Sequence, residues 1–139
     1  MVDAGSHDGR SLARIMTEKL ALVAFRVVGS TDRRSHATVR ISRGGRDHAE
    51  AEAEGKGPLD ALFRATDAAV GVQGEVTGLR IHAFDSYGMV GKARITVNFE
   101  DRKYAGRGSS PDAVEAAAHA YVRAVAAYLS NVGTRTSAE

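Results

Sequence analysis

The sequence predicts an α+β fold made of two βββα pseudo-repeats, with antiparallel sheets backed by two helices. Three observations carry this. Apolar residues alternate with a period of two in short segments bounded by glycine-rich or charged turns. Longer stretches with helical spacing follow a Gly-basic-Gly string in each half of the chain. The order strand, strand, strand, helix then occurs twice within 139 residues, a length that suits one domain. A repeat of about fifty residues ordinarily suggests a solenoid. Two copies with long helices suggest a pseudo-twofold domain instead.

Residues 1–10 are small and polar, and read as a loose arm. Leu12, Ile15, Met16 and Leu20 have helical spacing behind a possible Ser11 cap, so residues 1–18 are expected to be a flexible arm or a short helix. Residues 20–29 (LALVAFRVVG) read as a buried strand and 30–35 as a loop. Residues 36–43 alternate, with Ala37, Val39 and Ile41 on one face, and Gly44-Gly45 signals a hairpin turn. The string AEAEAE at 49–54 contains good helix formers. Its strict alternation would scatter the alanines around a helix but places them on one face of a strand. It is therefore read as a strand with its glutamates in water. Pro58 then suits the first turn of a helix whose apolar stripe is Leu59, Leu62, Phe63 and Val70, ended by Gly71.

The second half follows the same plan. Residues 75–84 and 92–99 read as strands around the loop 85–91, and residues 102–106 as a third strand. Ser109-Ser110-Pro111-Asp112 starts a helix to about Leu129, with an alanine-rich face suited to packing on a sheet or a partner helix. The remainder, 132–139, is expected to be a disordered tail. Between the two halves Gly55-Lys56-Gly57 matches Gly106-Arg107-Gly108. Leu59-Asp60-Ala61 then matches Val114-Glu115-Ala116 after a four-residue insertion.

Composition excludes several classes of function. Nineteen basic residues stand against seventeen acidic ones, for a net charge of +2. The densest basic stretch, Arg33-Arg34 to Arg46, is followed by Glu50, Glu52 and Glu54. That is not the concentrated charge of a nucleic-acid binder. Cysteine is absent, which removes disulfides and thiol chemistry. The N-terminus has no apolar core of a secretory signal, and no apolar run approaches a membrane span. A cytoplasmic protein with no membrane or nucleic-acid partner is expected. The five histidines (7, 36, 48, 82 and 119) form no HxH or HExxH pattern, so no metal and no cofactor is expected.

The candidate chemistry lies where glycines meet helix starts. A Gly-x-Gly running into a helix lets backbone N–H groups approach a carboxylate in positive potential. The candidate ligand-binding residues are Gly55, Lys56, Gly57, Pro58 and Asp60 in the first repeat, and Gly106, Arg107, Gly108, Ser110 and Asp112 in the second. The alternative is that these glycines only make tight turns and that Lys56 and Arg107 are solvated loop charges. Asp85, Ser86 and Tyr87 share a loop that is a further ligand-binding candidate. With His82 nearby they could form an acid–base set, or simply a turn.

Two strings carry a resemblance to a known family: EGKGPLDALFRATDAAVG at 54–71 and YAGRGSSPDAVEAAAHAYVRAV at 104–125. They resemble the C-terminal regulatory domain of the 2-isopropylmalate synthase family, over residues 19–131. That family shows Gly-Asn-Gly-Pro-apolar-Asp-Ala at the first string, where Lys56 here replaces the asparagine. At the second, Gly106, Gly108, Ser110, Asp112, Val114, Glu115 and Ala116 follow its pattern. The resemblance implies a homodimer, and a domain that binds leucine or another branched-chain amino or keto acid to regulate a distant catalytic site. The loop 85–91 departs from the family's glycine-rich pattern, with the bulkier Tyr87 and Met89. The family's catalytic barrel and its metal motif have no counterpart in these residues. A non-catalytic regulatory domain is therefore expected. The alternatives are a small recruited biosynthetic enzyme using His82, Asp85, Tyr87 or Glu115 for proton transfer, isomerisation or cyclisation, or a partner subunit of a separate enzyme.

Overall fold

The computed structural model describes residues 20–29, 31, 34–45, 47–82 and 91–138. The arm expected at 1–18 and the loop residues Asp85, Ser86 and Tyr87 lie outside them. Strands β1 (Leu20–Val28), β2 (Ser35–Arg43) and β3 (Asp47–Gly55) precede helix α1 (Pro58–Val70). Strands β4 (Glu75–His82), β5 (Gly91–Phe99) and β6 (Arg102–Ser110) precede helix α2 (Ala113–Ala138). The strands form two three-stranded sheets in the orders β1-β2-β3 and β4-β5-β6, antiparallel throughout. The βββα plan is thus present twice.

The hairpin turns have the backbone their residues allow. Gly44 and Gly45 take φ of 62° and 77°, and Glu100 and Asp101 take 52° and 66°, so both turns bend with the positive φ that matches strand twist. In β3 the alanines are half-buried and the glutamates exposed, as the alternation requires. Ala49, Ala51 and Ala53 stand opposite Ile41, Val39 and Ala37, beneath α1. On the other face Arg40 meets Glu50 at 3.1 Å. The first strand of each sheet carries a bulge, between Leu22 and Ala24 in one and between Val76 and Gly78 in the other.

Register corrects the expected alignment of the repeats. β6 continues to Ser110, four residues beyond its expected end at Gly106. Gly55 faces Ser35 at the end of its strand, and Ser110 faces Gly91 at the end of its own. Each helix then begins three residues later. Gly55 therefore corresponds to Ser110, and Ala51 and Ala53 correspond to Gly106 and Gly108. Asp60-Ala61 matches Glu115-Ala116 with no insertion. Gly106 and Gly108 do not form a helix entrance. They are buried on the strand face that α2 covers, where a Cβ at either would run into helix backbone: Ala120 O and Ala124 N for Gly106, Ala116 O and Ala120 N for Gly108. The second repeat uses glycine where the first uses alanine, and its helix sits closer.

The core between the layers is mostly aliphatic, with Val39, Ile41, Leu62, Ile95 and Val125 fully buried. Aromatics close one end of it. Phe63 stacks on Tyr121 with centroids 4.5 Å apart, and Phe99 stacks on Tyr128 at 4.6 Å. α2 runs to Ala138, well past the expected end near Leu129. No proline interrupts that stretch, and a single Gly133 weakens a helix without ending it.

The two repeats are not equally covered. α2 packs on β5 and β6 and also reaches β1. Leu22 is therefore buried, and Phe25 and Val27 are half-buried against the core. Their counterparts on β4 are Val76, Leu79 and Ile81. β4 packs substantially only on β5 among the described residues, and Val76 and Ile81 remain 37% and 44% exposed.

Candidate ligand-binding site

Both helix starts are occupied by the chain's own carboxylates. At α1 the Asp60 carboxylate accepts the Lys56 N–H at 2.9 Å and the Arg64 Nε–H at 3.1 Å. Burial alone would raise the Asp60 carboxyl, but these donors together hold it below its ordinary range. At α2 Asp112 Oδ1 accepts the N–H groups of Val114 at 2.8 Å and Glu115 at 3.4 Å, the geometry of an N-cap. Ser110 Oγ in turn accepts the Asp112 N–H at 3.1 Å. A small hollow of about 280 Å³ beside α1 is lined by Gly29, Ser35, Lys56, Gly57 and Pro58. At α2 the N–H groups that would draw a ligand carboxylate to the helix axis are thus already capped, whereas at α1 Asp60 takes the Lys56 N–H, just ahead of the Gly57 N-cap.

Cations gather instead on the outer face of the β4-β5-β6 sheet. Arg80 lies directly opposite Arg94, and Arg94 directly opposite Arg107, so three arginines form one row across three strands. The next row is His82, Lys92 and Ser109. All six are exposed. Arg123 reaches from α2 to the free edge of β6, where its guanidinium donates to the Arg107 carbonyl at 2.6 Å. A cleft of about 450 Å³ lies among His82, Lys92, Arg94, Arg107, Ser109 and Arg123. Cavities of this size are typical of small-molecule sites.

An acidic hollow of about 520 Å³ forms elsewhere, where Asp60, Asp67, Glu75 and Asp101 converge. Asp67 is committed to structure there. It accepts the Tyr121 hydroxyl at 2.6 Å and the Gly74 N–H at 3.1 Å. Burial raises its carboxyl above the ordinary range despite both donors. Burial and the adjoining carboxylate raise the Tyr121 phenol in turn.

The expected site residues therefore separate. Gly55, Lys56, Gly57, Pro58 and Asp60 cluster at α1; Ser110 and Asp112 cluster at α2. Gly106 and Gly108 lie under α2, though Gly108 also lines the cationic cleft with Arg107. His82 lies in that cleft, whereas Glu115 pairs with His119 at 3.2 Å on α2. Arg94, Lys92, Ser109 and Arg123 were not singled out from the sequence. The signal that finds them is strand register, which places residues 80, 94 and 107 side by side. Among the described residues no group of three His, Cys, Asp or Glu could hold a metal ion. No described helix is long and apolar enough to cross a membrane.

Comparison with known proteins agrees with the fold. The model of the LeuA allosteric (dimerisation) domain matches residues 9–129. A 2-isopropylmalate synthase of Pyrococcus furiosus is 36% identical over 92 residues, covering 66% of this chain and 18% of the relative. Those of Sediminispirochaeta smaragdinae and Xylella fastidiosa are 39% identical over 90 residues and 32% over 110, covering 64% and 78% of this chain. They are covered to 18% and 21% of their own length, so the chain spans about a fifth of these relatives. With the doubled βββα plan on both sheets, the match over most of the chain establishes that it belongs to the LeuA allosteric (dimerisation) domain family.

Proposed function

We propose that this chain is a dimer-forming regulatory domain that binds a small carboxylate, a leucine-like amino acid or keto acid, and passes the binding on through a change of conformation. The observation that carries the reading is β4. Its apolar row Val76, Leu79 and Ile81 lacks the helix that covers the matching row of β1. A second copy of the chain is the natural cover for such a strand in a family described by its dimerisation. The ligand's place in this reading is the cleft that runs from His82 at the end of that strand to Arg107, because cations converge there while Asp112 already caps the start of α2. Regulation then requires only that the ligand bind one arrangement of the dimer better than another.

Light scattering across a concentration series tests the dimer. The wild-type chain is expected to dimerise, and Ile81→Glu to shift it to monomer with its circular dichroism unchanged. A wild-type chain that stays monomeric overturns the assignment of β4. Thermal shift with leucine, valine, isoleucine and their keto acids tests the ligand. Saturation at about a hundredfold excess over Kd is worth about 2.7 kcal/mol of stability. No shift with any of them overturns the ligand class.

A further inference from the structure

Like charges directly opposite one another on neighbouring strands destabilise a sheet. The Arg80-Arg94-Arg107 row accepts this twice, and Lys92 adds a fourth cation one row away. The other sheet serves as an internal control. Its corresponding rows are Arg26-Thr38-Glu52 and Val28-His36-Glu54, and there Glu52 and Glu54 approach His36 and Arg34 at 3.8 Å. None of the ion pairs among the described residues involves Arg80, Lys92, Arg94, Arg107 or Arg123. The same fold position is thus charge-balanced in one repeat and strongly cationic in the other, in a chain whose net charge is only +2.

We propose that the cationic cleft binds a compact polyanion, a small molecule with two or more negative charges such as a phosphate ester or a polycarboxylate. This rests on the reading of the cleft as the ligand site and assigns it a guest of higher charge than a leucine-like acid. Neighbouring strands lie about 4.8 Å apart, so the arginine row spans roughly 10 Å. One carboxylate can bridge two adjacent guanidinium groups, and a second anionic group is needed to reach the third and Lys92. Ser109 offers a hydroxyl in the Lys92 row, and Arg123 closes the β6 edge. An adjoining hollow of about 500 Å³, shared through Arg94 and bounded by Arg80 and Thr96, leaves room for the rest of the guest. The outer positions of these rows carry no Phe, Tyr or Trp on which a nucleic-acid base could stack, and His82 is their single ring. That favours a small anion over an oligonucleotide.

The test is titration calorimetry on the full chain at fixed ionic strength. Pyrophosphate and citrate are the polyanionic probes, and leucine and 4-methyl-2-oxopentanoate the singly charged carboxylates. Either polyanion is expected to bind at least about tenfold more tightly than the monocarboxylates, and the ratio of pyrophosphate to citrate separates phosphate from carboxylate recognition. Arg94→Gln should remove that binding without lowering the melting temperature, because it also relieves the like-charge row. Arg40→Gln, on the balanced sheet, should leave binding unchanged. Monocarboxylates binding as tightly as the polyanions would overturn the polyanion and leave the regulatory reading intact. No binding by any probe would overturn both. Polyanion binding that survives Arg94→Gln would overturn this inference.

Discussion

Replacing Gly108 with alanine tests why glycine recurs in the sixth strand. The added Cβ would fall on the Ala116 carbonyl oxygen and lie 2.7 Å from Ala120 N and 2.9 Å from His119 Cβ. Two of these neighbours are helix backbone, which cannot rotate away as a long side chain can. Ordinary carbon contacts lie at about 3.5–4.0 Å, so α2 must lift from β6 by roughly 1 Å, loosening its packing along the strand. Overpacking of this kind costs about 1–3 kcal/mol. The upper end applies here, offset slightly by the reduced freedom of the unfolded chain. In a domain of this size that amounts to a fall in Tm of roughly 10 °C. Gly106→Ala meets Ala120 O and Ala124 N and should behave alike. Gly57→Ala is the control. It lies in the matching Gly-basic-Gly string, yet its added Cβ meets nothing within 4 Å. As an N-cap change it should cost about 1 kcal/mol or less. Urea denaturation followed by circular dichroism compares the three. If Gly106→Ala and Gly108→Ala cost no more than Gly57→Ala, the close packing of α2 on β6 is refuted.

Tyr121→Phe removes the hydroxyl that Asp67 accepts at 2.6 Å and should cost about 1–3 kcal/mol at neutral pH, read as a lower urea midpoint. Asp67 also sets a pH dependence. Its folded pKa is raised, so its contribution to stability is fully present below the unfolded value and is lost as pH rises through the folded one. Asp67→Asn should therefore flatten the fall in stability that begins as pH rises past the ordinary carboxylate range near about pH 4, and an unchanged profile would count against this role. Asp112→Ala removes the cap at the start of α2 and should cost about 0.5–2 kcal/mol, measured in the same way.

Alternation made the strands readable, including 49–54, where helix propensity pointed the other way. Doubling of the pattern made the topology readable. The repeat alignment was misled by two similar strings. Gly55-Lys56-Gly57 ends a strand and enters a helix, whereas Gly106-Arg107-Gly108 remains inside a strand, and only the pairing of Gly55 with Ser35 and of Ser110 with Gly91 distinguishes them. The roles of Asp60 and Asp112 within the chain are likewise visible only in the structure, where Asp112 caps α2 and Asp60 accepts the Lys56 N–H ahead of α1.

The sequence by itself determined the βββα order, the turns and the family, because these depend on periodicity and local backbone preference within a few residues. Tertiary structure alone decided which side chains act together. Arg80, Arg94 and Arg107 are separated by more than a dozen residues each and become neighbours only through strand register. The exposure of Val76 and Ile81 depends on how far α2 reaches across the other sheet. Register and helix placement are set by packing between distant segments, so neither the cationic cleft nor the uncovered strand leaves a mark in any short stretch of sequence.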